Sequence, residues 1–280
     1  MEPNKKTSLL YVACAAILLA LLGAFSMFVA LASDFTPSLG YFSSGSIKAA
    51  LLYITLAVGV ALGIFAWIFL RRVRLSEPTL PTPVYTKTAS VLLIAALLWH
   101  TGDDLLGIFR RGNTTSHWGL VLLCDLFALF FIVSLLCDMG TDDVRCGPLA
   151  AFSSFFPPLY TAGQLFLLYL DETVAINGHM KIIYQLMYIA FMLFFTAQTG
   201  LLLGRKTIFP RYIFCMVCTV VLGGTVSISA LLCAIAGVQG HNLLPSQILL
   251  CFAVTAYALC RLISAASASV RWTEAVEKEA

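Results

Sequence analysis

Charge is what this chain has least of. Lys, Arg, Asp and Glu together make up 11% of its 280 residues, against 60% hydrophobic. A soluble domain of this length cannot hide so much apolar surface, so the bilayer must act as solvent for much of it. The formal charge of +3 is too small to imply a nucleic-acid partner. Glutamate is confined to Glu2, Glu77, Glu172, Glu274, Glu277 and Glu279. The sequence has no H-E-x-x-H, G-x-S-x-G, Walker or G-x-G-x-x-G motif, which sets aside zinc proteases, nucleophile-elbow hydrolases, and nucleotide- and dinucleotide-binding folds. No lysine lies deep in a late apolar run, which argues against a retinal Schiff base. No cofactor and no metal is expected, and no motif ties the chain to a family.

What the chain has in abundance is apolar runs near the roughly 20 residues that cross a hydrocarbon core. Eight recur, at 9–31, 47–70, 89–109, 119–137, 149–170, 182–203, 212–236 and 244–263. Backbone polar groups cannot face lipid unpaired, and β-barrel alternation is absent, so each run reads as a helix. The fold expected is an all-α integral membrane protein, a bundle of about eight transmembrane helices. Residues 1–280 form one polytopic domain whose tail, 264–280, is short and cytoplasmic, and 270–280 reads as a helical continuation. Little is left over for a soluble domain.

The first run has a second reading. Lys5 and Lys6 precede it and Ala30-Leu31-Ala32 closes it, as in a signal peptide. Its apolar stretch is longer than the 7–15 residues of a signal h-region, so it reads as a retained helix. Cleavage would leave seven helices. Of the nine cysteines, Cys14, Cys124, Cys215, Cys218, Cys233, Cys251 and Cys260 lie inside apolar runs and read as small apolar residues. Cys215 and Cys218 form a C-x-x-C, but no second pair or nearby histidine accompanies it, so a metal or redox role is not expected.

Orientation follows from cations in short loops. Arg71, Arg72, Arg74 and Lys87 join the second and third spans; Arg205, Lys206 and Arg211 join the sixth and seventh; Arg261 and Arg271 come at the end. With Lys5 and Lys6 they fall on one side, which places both termini in the cytoplasm of a cell-membrane protein. Loops 33–46, 171–181 and 238–245 fall outside. Arg110 and Arg111 are exceptions, with Asp103 and Asp104 nearby to offset them. Asn113-Thr114-Thr115 is a sequon on the outer side. The linker from Glu77-Pro78 to Pro83 is a stiff inner strap. Basic, proline-containing loops after the second and sixth spans hint at a four-plus-four repeat, without residue-level self-similarity.

Ionisable residues at membrane depth are the candidate site. His100, Asp103 and Asp104 stand at i, i+3 and i+4, on one helical face. Asp125 is the lone charge of 119–137. By helical rise both acid groups lie about 10 Å below the outer surface, and the short loop between their helices makes them neighbours. A shared proton among Asp125, an acid of the third span and His100 is the arrangement expected. The alternative is that Thr101-Gly102-Asp103-Asp104 is a helix cap, with the span ending at His100 and the acids in a wet loop. Gln164, Gln185, Tyr160 and Tyr188 stand at similar depth and can line the same vestibule, or hold helices together. Pro157-Pro158 interrupts the fifth span, freeing carbonyls near Ser153 and Ser154; this is either an ordinary kink or a broken helix of the kind that lines transporter sites.

Three functions are compatible with these residues. The first is a small-ligand, cation or proton binding or transport module with an outward-facing polar vestibule. The second is a non-catalytic scaffold or accessory subunit with membrane partners. The third is an intramembrane hydrolase with paired carboxylates, though the chain carries no enzyme signature. The lipid bilayer is the partner common to all three. The topology is directly testable: reporter fusions placed after Arg74 and after Ala280 are expected to report cytoplasm, and an external signal at either position would overturn the assignment.

Overall fold

The structure, a computed structural model, describes residues 2–36, 41–43, 45–75, 80–111, 117–145, 147–171, 178–238, 241, 243–267 and 272–274. The Asn113-Thr114-Thr115 sequon, the Glu77-Pro78 start of the linker and residues 275–280 lie outside them. Apolar side chains on every face leave helix as the solution to backbone pairing, and the chain is an all-α bundle. The helices are α1 (Glu2–Ser33), α2 (Ile47–Leu70), α3 (Val84–Arg111), α4 (Trp118–Met139), the short α5 (Asp142–Arg145) and α6 (Pro148–Ser153), then α7 (Phe156–Leu170), α8 (His179–Leu202), α9 (Phe209–Ala236) and α10 (Pro245–Ala266). Seven of them are long and apolar enough to cross a membrane. The remaining predicted span, 149–170, is present as two helices, α6 and α7.

The break in that span follows from its prolines. Pro157 and Pro158 occupy the first turn of α7, where their missing N–H groups are tolerated. Pro158 leaves the Ser154 carbonyl without its helical donor. Thr199 of α8 supplies one instead, its hydroxyl donating to Ser154 O at 2.5 Å. At the other end of α7, Lys181 is fully buried and its ammonium donates to Asp171 O at 2.6 Å and Tyr169 O at 3.2 Å, capping the last carbonyls.

Two small sheets mark the ends of the bundle. At what we call the hairpin end, β1 (Phe35–Thr36) pairs antiparallel with β2 (Tyr41–Phe42) between α1 and α2. Beside it Ser46 caps α2 by accepting from Ala49 N, and its hydroxyl donates to Asp34 Oδ2 at 2.6 Å. Ser46, with Ser33 and Lys48, holds the Asp34 carboxyl below the usual carboxylate range. At the opposite, ribbon end, β3 (Val73–Leu75) pairs antiparallel with β4 (Trp272–Glu274). Residues 272–274, within the stretch 270–280 expected as a helical continuation, are strand instead. Ser267 turns into extended backbone and ends α10, and β3 offers the unpaired strand edge that the returning chain then covers. The linker strap lies at the same end, with Leu80 O accepting from Arg145 Nη1 and Pro81 O from the Ser264 hydroxyl.

The core centres on α9. Within its most apolar stretch 72% of residues are buried, against 28% for α3, so the halves suggested by the four-plus-four hint do not take equivalent places. α9 packs on α1, α2, α8 and α10. Small residues set the approach. A Cβ at Gly224 would sit 2.8 Å from Ala20 Cβ, and one at Gly59 would sit 2.5 Å from a Val221 methyl. One at Gly223 would collide with Thr255 and with the Phe191 ring. On the far side α10, α3, α4, α7 and α8 follow one another as neighbours and close a ring. α8 and α10 meet through side chains such as Gln198 and Tyr257.

Overpacking a tight helix crossing costs about 1–3 kcal/mol. Gly223→Val is therefore expected to lower the melting temperature of the detergent-purified protein by several degrees. Gly107→Ala, where a Cβ meets nothing within 4 Å, is expected to leave it unchanged or raise it. Equal melting of the two variants would show that the α9 crossings are not tight.

Candidate functional site

The helix α3 does not stop at His100. It runs through Asp103 and Asp104 to Arg111, so the capping alternative is not what the chain adopts. One turn of helix puts His100 and Asp104 on the same inward face, with Nε2 and Oδ2 3.6 Å apart. That is electrostatic range, longer than a hydrogen bond. Asp103, next to Asp104, is half-buried. On α4, Asp125 is 6% exposed, its carboxyl reached by the Thr101 hydroxyl and lying within electrostatic range of Asp104. On α7, Tyr160 and Gln164 share a face one turn apart and are both buried. Gly163 lets that face close on α4, since a Cβ there would be 2.5 Å from Cys124 Sγ. Tyr188 of α8 interacts with Tyr160 and with the thiol of Cys251 on α10.

These groups form a closed polar cell toward the hairpin end. Its defining property is what its members lack. Both ring nitrogens of His100, Asp125 Oδ2, Tyr160 Oη and Gln164 Nε2 are buried without a hydrogen-bond partner. A buried polar atom left unsatisfied costs about 1–3 kcal/mol. Of the residues singled out from sequence, the structure brings together His100, Asp104, Asp125 and Gln164, with Tyr160 and Tyr188. Asp103 lies at the rim, and Gln185 is half-buried on α8 with no hydrogen bond among the described residues. The cell is less open than the outward vestibule expected, with Asp104 as its most exposed inward-facing acid at 18%.

A second polar cell stands toward the ribbon end, and the sequence reading missed it. Asp138, at the end of α4, forms a buried ion pair with Arg261 of α10. Tyr257 donates to Asp138 Oδ2 at 3.0 Å, and accepts from Arg261 Nε at 3.1 Å and from Gln198 Nε2 at 2.7 Å. The available signals were faint. Asp138 directly follows the fourth apolar run, and Arg261 lies just before the end of the eighth, where it passes for a loop cation. An aromatic partition separates the two cells. Phe131 packs edge-on against Phe195 at 4.8 Å and lies 5.9 Å from Tyr160, while Phe195 stacks beside Tyr257. Along α4 the order Asp125, Phe131, Asp138 spans about 20 Å by helical rise.

Cys215 and Cys218 are buried free thiols. Among the described residues no three His, Cys, Asp or Glu side chains converge as a metal site. Comparison with family models, with curated proteins and with solved structures yields no match.

At the hairpin end His241 links three elements. Its Nδ1 lies 2.6 Å from the Tyr184 hydroxyl of α8, and its Nε2 3.2 Å from Ser229 Oγ of α9. Ser229 already donates to Val226 O, so it accepts from Nε2–H; burial disfavours the charged ring, which leaves Nδ1 to accept from the Tyr184 hydroxyl. Burial pulls its pKa down to about 4 from the ordinary 6.5. The folded state thus refuses a proton that the unfolded chain takes up between those values. The contribution of His241 is complete above pH 6.5 and is lost as pH falls toward 4. Wild-type protein is expected to lose several degrees of melting temperature more than His241→Gln between pH 7 and pH 4.5. Parallel pH profiles would refute the assignment.

Proposed function

We propose that the chain binds and passes a small cation, a proton in the simplest case, across the cell membrane, with the ribbon end and both termini in the cytoplasm. The observation that carries this reading is the set of buried polar atoms without a hydrogen-bond partner (both His100 ring nitrogens, Asp125 Oδ2, Tyr160 Oη and Gln164 Nε2) around the Asp104 carboxyl. Polar residues that only hold helices together are paired with one another, because hydrocarbon offers no substitute partner. These atoms are not, so their cell is suited to an occupant from outside. Two carboxylates with a histidine suit a cation or an exchangeable proton. The stacking of a second polar cell beyond an aromatic partition, inside the same ring of helices, supports passage rather than simple binding. The broken α6–α7 span borders both cells, as interrupted helices do at transport sites.

The test is cation and proton flux into proteoliposomes, read with entrapped pH- and Na⁺-sensitive dyes. Wild-type protein is expected to conduct, and Asp125→Asn, which keeps shape and removes the charge, to lose flux by at least about tenfold. Unchanged elution of the variant on size exclusion separates this loss from misfolding. Flux equal to that of empty vesicles for the wild type, or unaffected by Asp125→Asn, would sink the proposal and favour a scaffold.

A further inference from the structure

The cell at the ribbon end contains more than an ion pair. A cleft with room for about one water molecule opens beside it, lined by Ser134, Asp138, Ser154, Gln198 and Thr199. The hydrogens of its polar groups are largely committed elsewhere. The Ser154 hydroxyl donates to Ala151 O at 2.8 Å, and that of Thr199 to Ser154 O. The one hydrogen of the Tyr257 hydroxyl goes to Asp138 Oδ2. Tyr257 must therefore accept from Gln198, which fixes the amide with nitrogen toward the tyrosine and leaves Oε1 buried without a partner. Asp138 spends Oδ2 on both Arg261 and Tyr257, and its Oδ1 makes no hydrogen bond among the described residues. The polar residues around the cleft thus carry unused oxygen lone pairs, on one carboxylate, one amide and hydroxyls, beside an apolar wall of Phe131, Leu135, Pro157, Phe195 and Leu202. It abuts the α6–α7 break, where the backbone is already irregular. Oxygen acceptors gathered beside a space of this size match a dehydrated hard cation.

We propose that this cleft is a binding station for a hard monovalent cation of the size of Na⁺, and that Arg261 is a tethered cation that neutralises Asp138 while the station is empty. An incoming ion takes up the Asp138 carboxylate together with Gln198 Oε1 and the Ser134, Ser154 and Thr199 oxygens, and Arg261 withdraws from Oδ2. Net charge in the buried cell then changes by one unit only while the ion is bound. The arginine returns when the ion leaves, so Asp138 is never left bare. This inference rests on the cation-pathway reading and names its cargo class.

The probe is NaCl against choline chloride at equal ionic strength, with thermal melting of the full-length detergent-purified protein as readout. Na⁺ is expected to raise the melting temperature of the wild type. In Arg261→Gln the half-maximal Na⁺ concentration should fall by at least about tenfold, because removing one partner of a buried pair leaves a charge that needs another. Asp138→Asn combined with Arg261→Gln should show no response. Gln198→Met leaves the ion pair in place and should abolish the wild-type response, which keeps the inference testable even where Arg261→Gln does not fold. A Na⁺ response absent from the wild type, or equal in wild type and Gln198→Met, would overturn the station. Asp125→Asn separates the two proposals. A Na⁺ response kept in Asp125→Asn supports the station whatever becomes of flux. A response lost there but intact in Gln198→Met overturns the station and leaves the cell at the hairpin end standing.

Discussion

Hydrocarbon cannot hydrogen-bond, and each feature of this bundle is an answer to that fact. The backbone answers with helices throughout the spans. The small hydroxyls answer by returning their hydrogens to their own helices, as Thr55 does to Leu51 O, Ser90 to Thr86 O and Ser227 to Gly223 O. Where a proline denies the backbone its partner, a threonine from the next helix provides one. Where a lysine is fully buried, it is spent on the open carbonyls at a helix end. Against this thrift, the unpartnered groups around Asp104 and Asp125 stand out, since the same chain that satisfies Ser154 O from 45 positions away leaves His100 with neither nitrogen bonded.

The molecule divides its labour between two sides. Around α9, glycine and alanine let backbones approach, and dispersion between close-packed main chains holds the helices together. Across the α3–α4–α7 side the contacts are made by large rings and polar tips. Phe130 and Phe156 stack there with centroids 4.4 Å apart, and Phe152 meets both edge-on. The hairpin-end cell lies on the second side, and the ribbon-end cell joins the two, with Asp138 on α4 and Gln198, Tyr257 and Arg261 on α8 and α10.

Much of this was legible in the sequence, for identifiable reasons. Apolar run length set the spans, since it reports directly on the solvent. The spacing of His100 and Asp104, and the depth of Asp125, followed from helical rise. Pro157-Pro158 announced a disturbance but not its form, because the repair comes from Thr199 on another helix. The Asp138–Arg261 pair was illegible because each partner sits at the edge of an apolar run, where a charge is normally solvated, and the two are 123 positions apart. Asp103 was grouped with the site by its i+3 spacing from His100 and Gln185 by depth; both are half-buried, and their spacing and depth do not say which neighbours they meet. The strand at Trp272–Glu274 depends on a partner edge, Val73–Leu75, far back along the chain, which no local pattern carries.

The crossings of α9 with α1 and α2 have a consequence for how the protein is made. Gly23 and Ala20 face Thr225 and Gly224, and Gly59 faces Val221. The first two helices leave the ribosome long before the surface shaped to receive them. Until the ninth helix emerges, their grooves of small residues are filled by lipid chains or by each other. Assembly is therefore a late, long-range event, completed when α9 displaces those temporary occupants and draws helices from both ends of the chain onto itself. A chain truncated before α9 would have most of its membrane-spanning segments and none of the central packing that makes them one protein.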